Sequence, residues 1–231
     1  MILDRALIAA LQINAHVAGQ ALGIWQDNPA FNADLSLAAL VGRHGATYRM
    51  RRQDLFHLGV AARGGNLVAA RELLVGTFVW GHSKVNGRGN PERVLGNVGA
   101  GPIAPPQFAL LNTMTSPRAV FQALKSGGVG NVGGWGPSFF TKYLYFLHFR
   151  NPAFTVYPLI YDERVRNCLN GTRNTLTDAK LTVGWIYPHK TRYASANDYA
   201  EYCQSLDSWA ASLSTPGAVV TPDKVERYLF G

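Results

Sequence analysis

The stretch Lys125-Ser126-Gly127-Gly128-Val129-Gly130-Asn131-Val132-Gly133-Gly134-Trp135-Gly136-Pro137-Ser138-Phe139-Phe140-Thr141-Lys142 separates two apolar segments of helical period, and its reading decides the fold. Upstream, Ser116-Pro117 starts a helix through Val120, Phe121 and Leu124, whose basic last turn runs into glycine. Downstream, Pro137-Ser138 opens a strongly apolar helix through Phe139, Phe140, Tyr143, Leu144 and Leu147, which Asn151-Pro152 breaks. Between them Val132 to Pro137 is a tight glycine turn. Residues 116–150 therefore read as helix, hairpin, helix.

Outward from this module, Phe154 to Tyr161 is β-favouring in composition, but Pro152 and Pro158 argue for an extended connection over a central strand. Asp162 then caps a helix through Val165 and Leu169 that ends at Asn170-Gly171. Towards the N-terminus, residues 3–22 look helical, Arg52 to Gly59 reads as a short helix, and Asn66 caps a helix through Ala69, Leu73, Leu74 and Phe78 that stops near Trp80-Gly81. His82 to Gly101 reads as a polar, glycine-rich loop with one helical turn at Pro91 to Val94. A helix over 197–213 and another beginning at Thr221-Pro222 close the chain. At least seven helices and no strand ladder predict an all-α protein, and with no internal repeat or linker residues 1–231 form a single helical domain.

The 231 residues are 47% hydrophobic and 16% charged, the composition of a packed globular protein, which excludes disorder over most of the length. Two cysteines, Cys168 and Cys203, exclude a four-thiolate cluster or a Cys-rich zinc module and fit a reducing compartment. No run approaches the ~20 apolar residues of a membrane span, and Met1 to Trp25 lacks a cleavable leader pattern, so the expected location is cytoplasmic. The six histidines are scattered without metal-ligand spacing, so no metal site is expected. Neither a Gly-x-Ser-x-Gly elbow nor a phosphate loop occurs. The net charge of +8 is unevenly spread: residues 76–150 hold seven basic groups against Glu92 alone, whereas residues 151–231 hold eight of each sign. Cations and glycine amides together suit phosphate binding; a solvated basic face is the plainer reading.

Lys142 lies four residues beyond Ser138 on an aromatic stripe, where loss of water lowers an ammonium pKa and makes a neutral, nucleophilic amine accessible. Asp162, twenty residues further on, is placed to stabilise a cationic sugar and take up a proton. The plainer readings are a snorkelling lysine and a simple helix cap.

With Gly134 to Lys142 reading Gly-x-Gly-Pro-x-Phe-Phe-Thr-Lys, followed by Asp162 at a helix start, the chain resembles the helix-hairpin-helix DNA glycosylases, and more closely their 8-oxoguanine-glycosylase-like branch. The resemblance is clearest over residues 116–170. It implies two helical subdomains flanking a cleft for double-stranded DNA, a monomer, and no cofactor beyond a monovalent cation at the hairpin. It also implies that the hairpin at Gly134, Trp135, Gly136 and Ser138 grips phosphate, that Lys142 attacks the sugar with Asp162 assisting, and that an 8-oxoguanine-like purine is excised, with strand nicking as a second step. In typical members the lysine stands at about the position of Ser138; here it lies one turn on, roughly 6 Å along the same helix face. A flipped nucleotide needs a wedge and a pocket. His82, Asn86 and Arg88 are candidates to fill the gap or hold DNA, Trp135 is a second wedge candidate or else a core plug, and Trp80, Tyr157 and Trp185 are candidates for the base pocket. The rival expectations are a glycosylase for bulky modified bases of phage DNA and a non-catalytic DNA-binding module.

Overall fold

A computed structural model describes residues 5–82, 91–99, 101–162 and 195–230 together with Val165 and Leu169. Among the described residues the secondary structure is helical throughout, with two isolated β-bridges, Val17 to Arg51 and Thr215 to Ala218. The protein is all-α, as its sequence predicts.

The expected helix over 3–22 is instead two short ones, α1 (Arg5–Ala10) and α2 (Leu22–Gln26). The intervening chain crosses the start of α5 (Arg52–Arg63), where the carbonyls of His16 and Asn14 accept from Arg52 N and Gln53 N at 3.0 and 3.2 Å. Two helices that the sequence reading leaves unassigned follow: α3 (Pro29–Asn32) and α4 (Leu35–His44), the latter capped by Asp34, whose carboxylate accepts from Ser36 N and Leu37 N.

Helix α6 (Leu67–Gly81) starts where Asn66 predicts, with the Asn66 side chain accepting from Ala69 N at 3.0 Å, and is buried on all sides from Ala69 to Trp80. A helix apolar all round has to lie inside. It packs against α4, α5 and α9 (Pro137–His148), with Arg71 paired to Asp34 at 2.5 Å where both are buried. Helices α5 and α9 cross at Gly59, where an added Cβ would stand 2.1 Å from the Phe146 carbonyl oxygen. Backbone cannot yield as a side chain can. Gly59→Ala is therefore expected to cost about 3 kcal/mol of stability and to lower the Tm by about 6–12 °C; thermal unfolding followed by circular dichroism would read it, and an unchanged Tm would contradict this crossing.

Beyond α7 (Pro91–Val98) and a 3-10 turn over Pro106–Thr113 comes the glycine turn with its two flanking helices. Helix α8 (Pro117–Leu124) is capped by Ser116 and the glycine turn leads into α9. Gly134 has φ +89°, a left-handed conformation that favours glycine, and its α-carbon faces the Arg93 side chain from α7. Asn97 donates to the Gly133 carbonyl at 2.7 Å, so α7 braces the turn.

From Asn151 to Asp162 the chain turns at Pro152-Ala153, bends at Thr155-Val156 and runs on without pairing into a strand, which its prolines argue against. Helix α10 (Ala196–Leu213), which begins with a Ser195/Asp198 capping box, holds this segment: Tyr199 and Tyr202 donate to the carbonyls of Leu159 and Ile160 at 2.8 and 2.7 Å. Helix α11 (Pro222–Phe230) packs against α10 and α1.

Candidate active site

Helix α9 and the end of the unpaired 151–162 segment bring Lys142 and Asp162 together. Their side chains meet at 3.2 Å from Nζ to Oδ2, and the ammonium also donates to the Ser138 carbonyl at 2.8 Å, one turn back along its own helix. Asp162 serves two groups at once, since its Oδ1 accepts from Val165 N at 3.1 Å while Oδ2 faces the lysine. Capping and pairing are thus compatible. Thr141 fixes the register between the two elements by accepting from Tyr161 N at 3.1 Å.

Lys142 is 4% and Asp162 7% exposed. The lysine stem runs past Gly81, where a Cβ would come within 3.1 Å of its Cδ, and Nζ lies 5.0 Å from the centre of the Phe139 ring. Burial lowers the Lys142 pKa below the ordinary lysine value, and the Asp162 carboxylate opposes that shift without cancelling it. This is an ammonium stripped of water with a proton acceptor beside it.

The other expected site residues scatter. His82 is not free to enter a duplex: it is 5% exposed and stacked on Phe139, with ring centres 4.2 Å apart, because α6 ends against the start of α9. Burial, and after it the charge of Lys142, takes its pKa down to about 4, so it is neutral at pH 7. Trp80 belongs to the core and not to a pocket, edge-on to Phe146 at 5.1 Å and to His16 at 5.5 Å. Trp135 is a core plug, not a wedge, lying against Phe108 and Tyr143 with ring centres 5.7 and 5.4 Å away. An aromatic ring next to a glycine turn has more apolar surface to bury inward than to offer outward. Gly134, Gly136 and Ser138 form the turn and first residues leading into α9. Asn86, Arg88 and Trp185 lie outside the described residues.

Next to Lys142 and Asp162 is a second buried group that the sequence does not mark. Arg52 of α5 pairs with Glu226 of α11 at 3.1 Å and donates to the Tyr145 hydroxyl at 3.0 Å, and that hydroxyl donates to Asp223 at 3.3 Å. Arg52 and Glu226 are 174 positions apart, so no local pattern could pair them. The i, i+3 spacing of Asp223 and Glu226, two acids on one face of a short helix, is the one sequence signal available.

Comparison with protein families finds that residues 21–230 match the model described as "Putative 8-oxoguanine DNA glycosylase OGG-like protein". The chain belongs to this OGG-like DNA glycosylase family. Comparison with curated proteins and with solved structures returned no match. Two further features of the OGG-like fold bear on its chemistry. Among the described residues no helix is long and apolar enough to cross a membrane, and no three His, Cys, Asp or Glu side chains gather as a metal site. Along α9, Lys142, Tyr145 and Phe149 fall at i, i+3 and i+7, a single stripe. Past the lysine this stripe walls a cavity of about 290 Å³, closed by Tyr157, Leu159 and Asp223 among others. Among the described residues, Tyr157 is the one expected pocket residue that lines it. The size is at the lower edge of small-molecule pockets.

Proposed function

We propose that this OGG-like protein is a helix-hairpin-helix glycosylase that turns a damaged purine of the 8-oxoguanine type out of double-stranded DNA, removes it with Lys142 and then nicks the strand. The observation that carries this reading is the buried 3.2 Å contact between the Lys142 amine and the Asp162 carboxylate. No surface ion pair needs such burial, and desolvation prepares the amine for attack.

Lys142 first gives a proton to Asp162. Its nitrogen lone pair then bonds to C1′ of the deoxyribose, and the glycosidic bond breaks with its electron pair leaving on the base, which is protonated. Ring opening leaves an iminium linking Nζ to C1′. Loss of a C2′ proton then expels the 3′ phosphate and cuts the strand, and water frees the lysine. Two helical subdomains flanking a cleft would hold the duplex, with the glycine turn and the cations of residues 76–125 on its phosphates. The everted base would occupy the cavity beside Tyr145, Phe149 and Tyr157, which lies on the stripe that carries the amine.

Borohydride tests this directly, because it reduces the iminium to a stable amine. Wild-type protein incubated with an 8-oxoguanine:cytosine duplex and borohydride is expected to give a covalent adduct whose digestion maps to the peptide containing Lys142. Base release without adduct would make the protein a water-using glycosylase, and DNA binding without release would leave a non-catalytic module; either result removes the lysine mechanism.

A further inference from the structure

We infer that Arg150 is a specificity residue, whose guanidinium donates hydrogen bonds to a carbonyl oxygen of the base seated in the aromatic cavity; the inference rests on that cavity being the base pocket. Arg150 is the only non-glycine residue with positive φ among those described, at +50°. L-residues adopt this left-handed conformation rarely, and it persists only where the surroundings impose it.

Here they do. Arg63 donates to the carbonyls of Leu147 and Phe149, fixing the chain just before Arg150. Just after it, Asn151 N donates to the His148 carbonyl at 3.0 Å and the Asn151 side chain accepts from Ala153 N at 3.1 Å. A glycine would satisfy this turn without strain, so the side chain is the reason for a residue with a Cβ.

That side chain is exposed, lines the cavity, and holds its guanidinium carbon 5.1 Å from the centre of the Phe149 ring, itself stacked on Phe56. Among the described residues no carboxylate pairs with it. The site lies just past the end of α9, seven to eight residues beyond Lys142. Arg150 borders the same cavity as Tyr145 and Tyr157, so a base seated there meets its guanidinium. A guanidinium is a donor only, and on a base its natural partner is a carbonyl oxygen.

Arg150→Gly separates a conformational role from a recognition role. Removing the strain is expected to raise the Tm by about 2–4 °C. Losing the charged hydrogen bond is expected to slow single-turnover excision of 8-oxoguanine by about 10–100-fold, while affinity for a duplex carrying a tetrahydrofuran abasic analogue stays unchanged. Arg150→Lys, which keeps the charge but not the fork, should recover only part of the loss. Unchanged excision would make Arg150 merely structural, and equal weakening on both duplexes with a shallower salt slope would make it a phosphate contact; each overturns the inference. Calorimetry with free 8-oxoguanine base keeps it apart from the lysine chemistry: binding to wild type that Arg150→Gly abolishes upholds the contact even if no base is ever excised, and binding that is absent or unaltered refutes it.

Discussion

Lys142→Ala is expected to lose the borohydride-trapped adduct completely, and Asp162→Asn to slow single-turnover excision by about 10²–10⁴-fold, the usual contribution of a positioned acid or base. The two variants fail for different reasons. Without the amine no iminium forms at any pH. With asparagine at 162 the amine remains, and the amide oxygen can still accept from Val165 N, so that contact is kept. Both proteins should fold, which far-ultraviolet circular dichroism would verify.

Their pH profiles distinguish the roles further. Attack needs a neutral amine, so the rate rises with pH through the Lys142 pKa, which burial holds below the ordinary lysine value while Asp162 pulls it back up. Removing the carboxylate charge takes away that upward pull. The rising limb of the residual Asp162→Asn activity should therefore move to lower pH than in wild type, even as its plateau drops. A limb that stays in place would mean that the lysine does not carry the titrating proton.

Much of this arrangement was legible from local pattern. Asn66, Ser116 and Asp162 each announce a helix start by their cap chemistry; Asn66 and Ser116 cap in the structure and Asp162 accepts from Val165 N, while most of the helix expected after it lies outside the described residues. The all-α architecture followed from helix periodicity and from prolines that spoil the one β-favouring segment. Lys142 and Asp162 were readable because the glycine turn, the aromatic helix and the next cap occur in sequence order. What was not legible depends on long-range packing. The break of the first helix is imposed by α5 and by Gly19, whose φ is +68° and whose α-carbon presses on the Val79 carbonyl. His82, Trp80 and Trp135 have chemistry suited to DNA contact, yet burial decides their role, and burial is settled by partners far along the chain. Arg150 is unremarkable as a letter; its backbone angle makes it informative.

The least legible part, the Arg52 and Glu226 pair, gives the largest expected effect on stability. Both side chains are at most 1% exposed, and Arg52 also donates to His16 Nδ1 at 3.2 Å. His16 can accept because burial, followed by the charges of Arg52 and Arg227, lowers its pKa to about 3 and leaves it neutral. Glu226→Ala would strand the guanidinium, and breaking one side of such a pair is expected to cost about 3–5 kcal/mol. Denaturant unfolding at neutral pH would measure it, and a loss below ~1 kcal/mol would show that Tyr145 and Asp223 suffice for Arg52.

The pH dependence has a definite sign. Burial raises the Glu226 pKa from 4.5 to about 7, against the opposing pull of Arg52. The native state therefore holds a proton that the unfolded chain has already released, and the stability this confers is complete below pH 4.5 and disappears as pH rises through 7. Glu226→Gln, which keeps an acceptor for Arg52 but cannot titrate, should lack this decline, so the stability difference between the two proteins should change between the two pKa values and level off above pH 7. Because Tyr145 hydrogen-bonds Arg52 and also walls the proposed base cavity, the Glu226→Ala change should weaken binding of free 8-oxoguanine as well as the fold. A fold loosened at the pair with base binding intact would show that the network holds helices together without shaping the pocket.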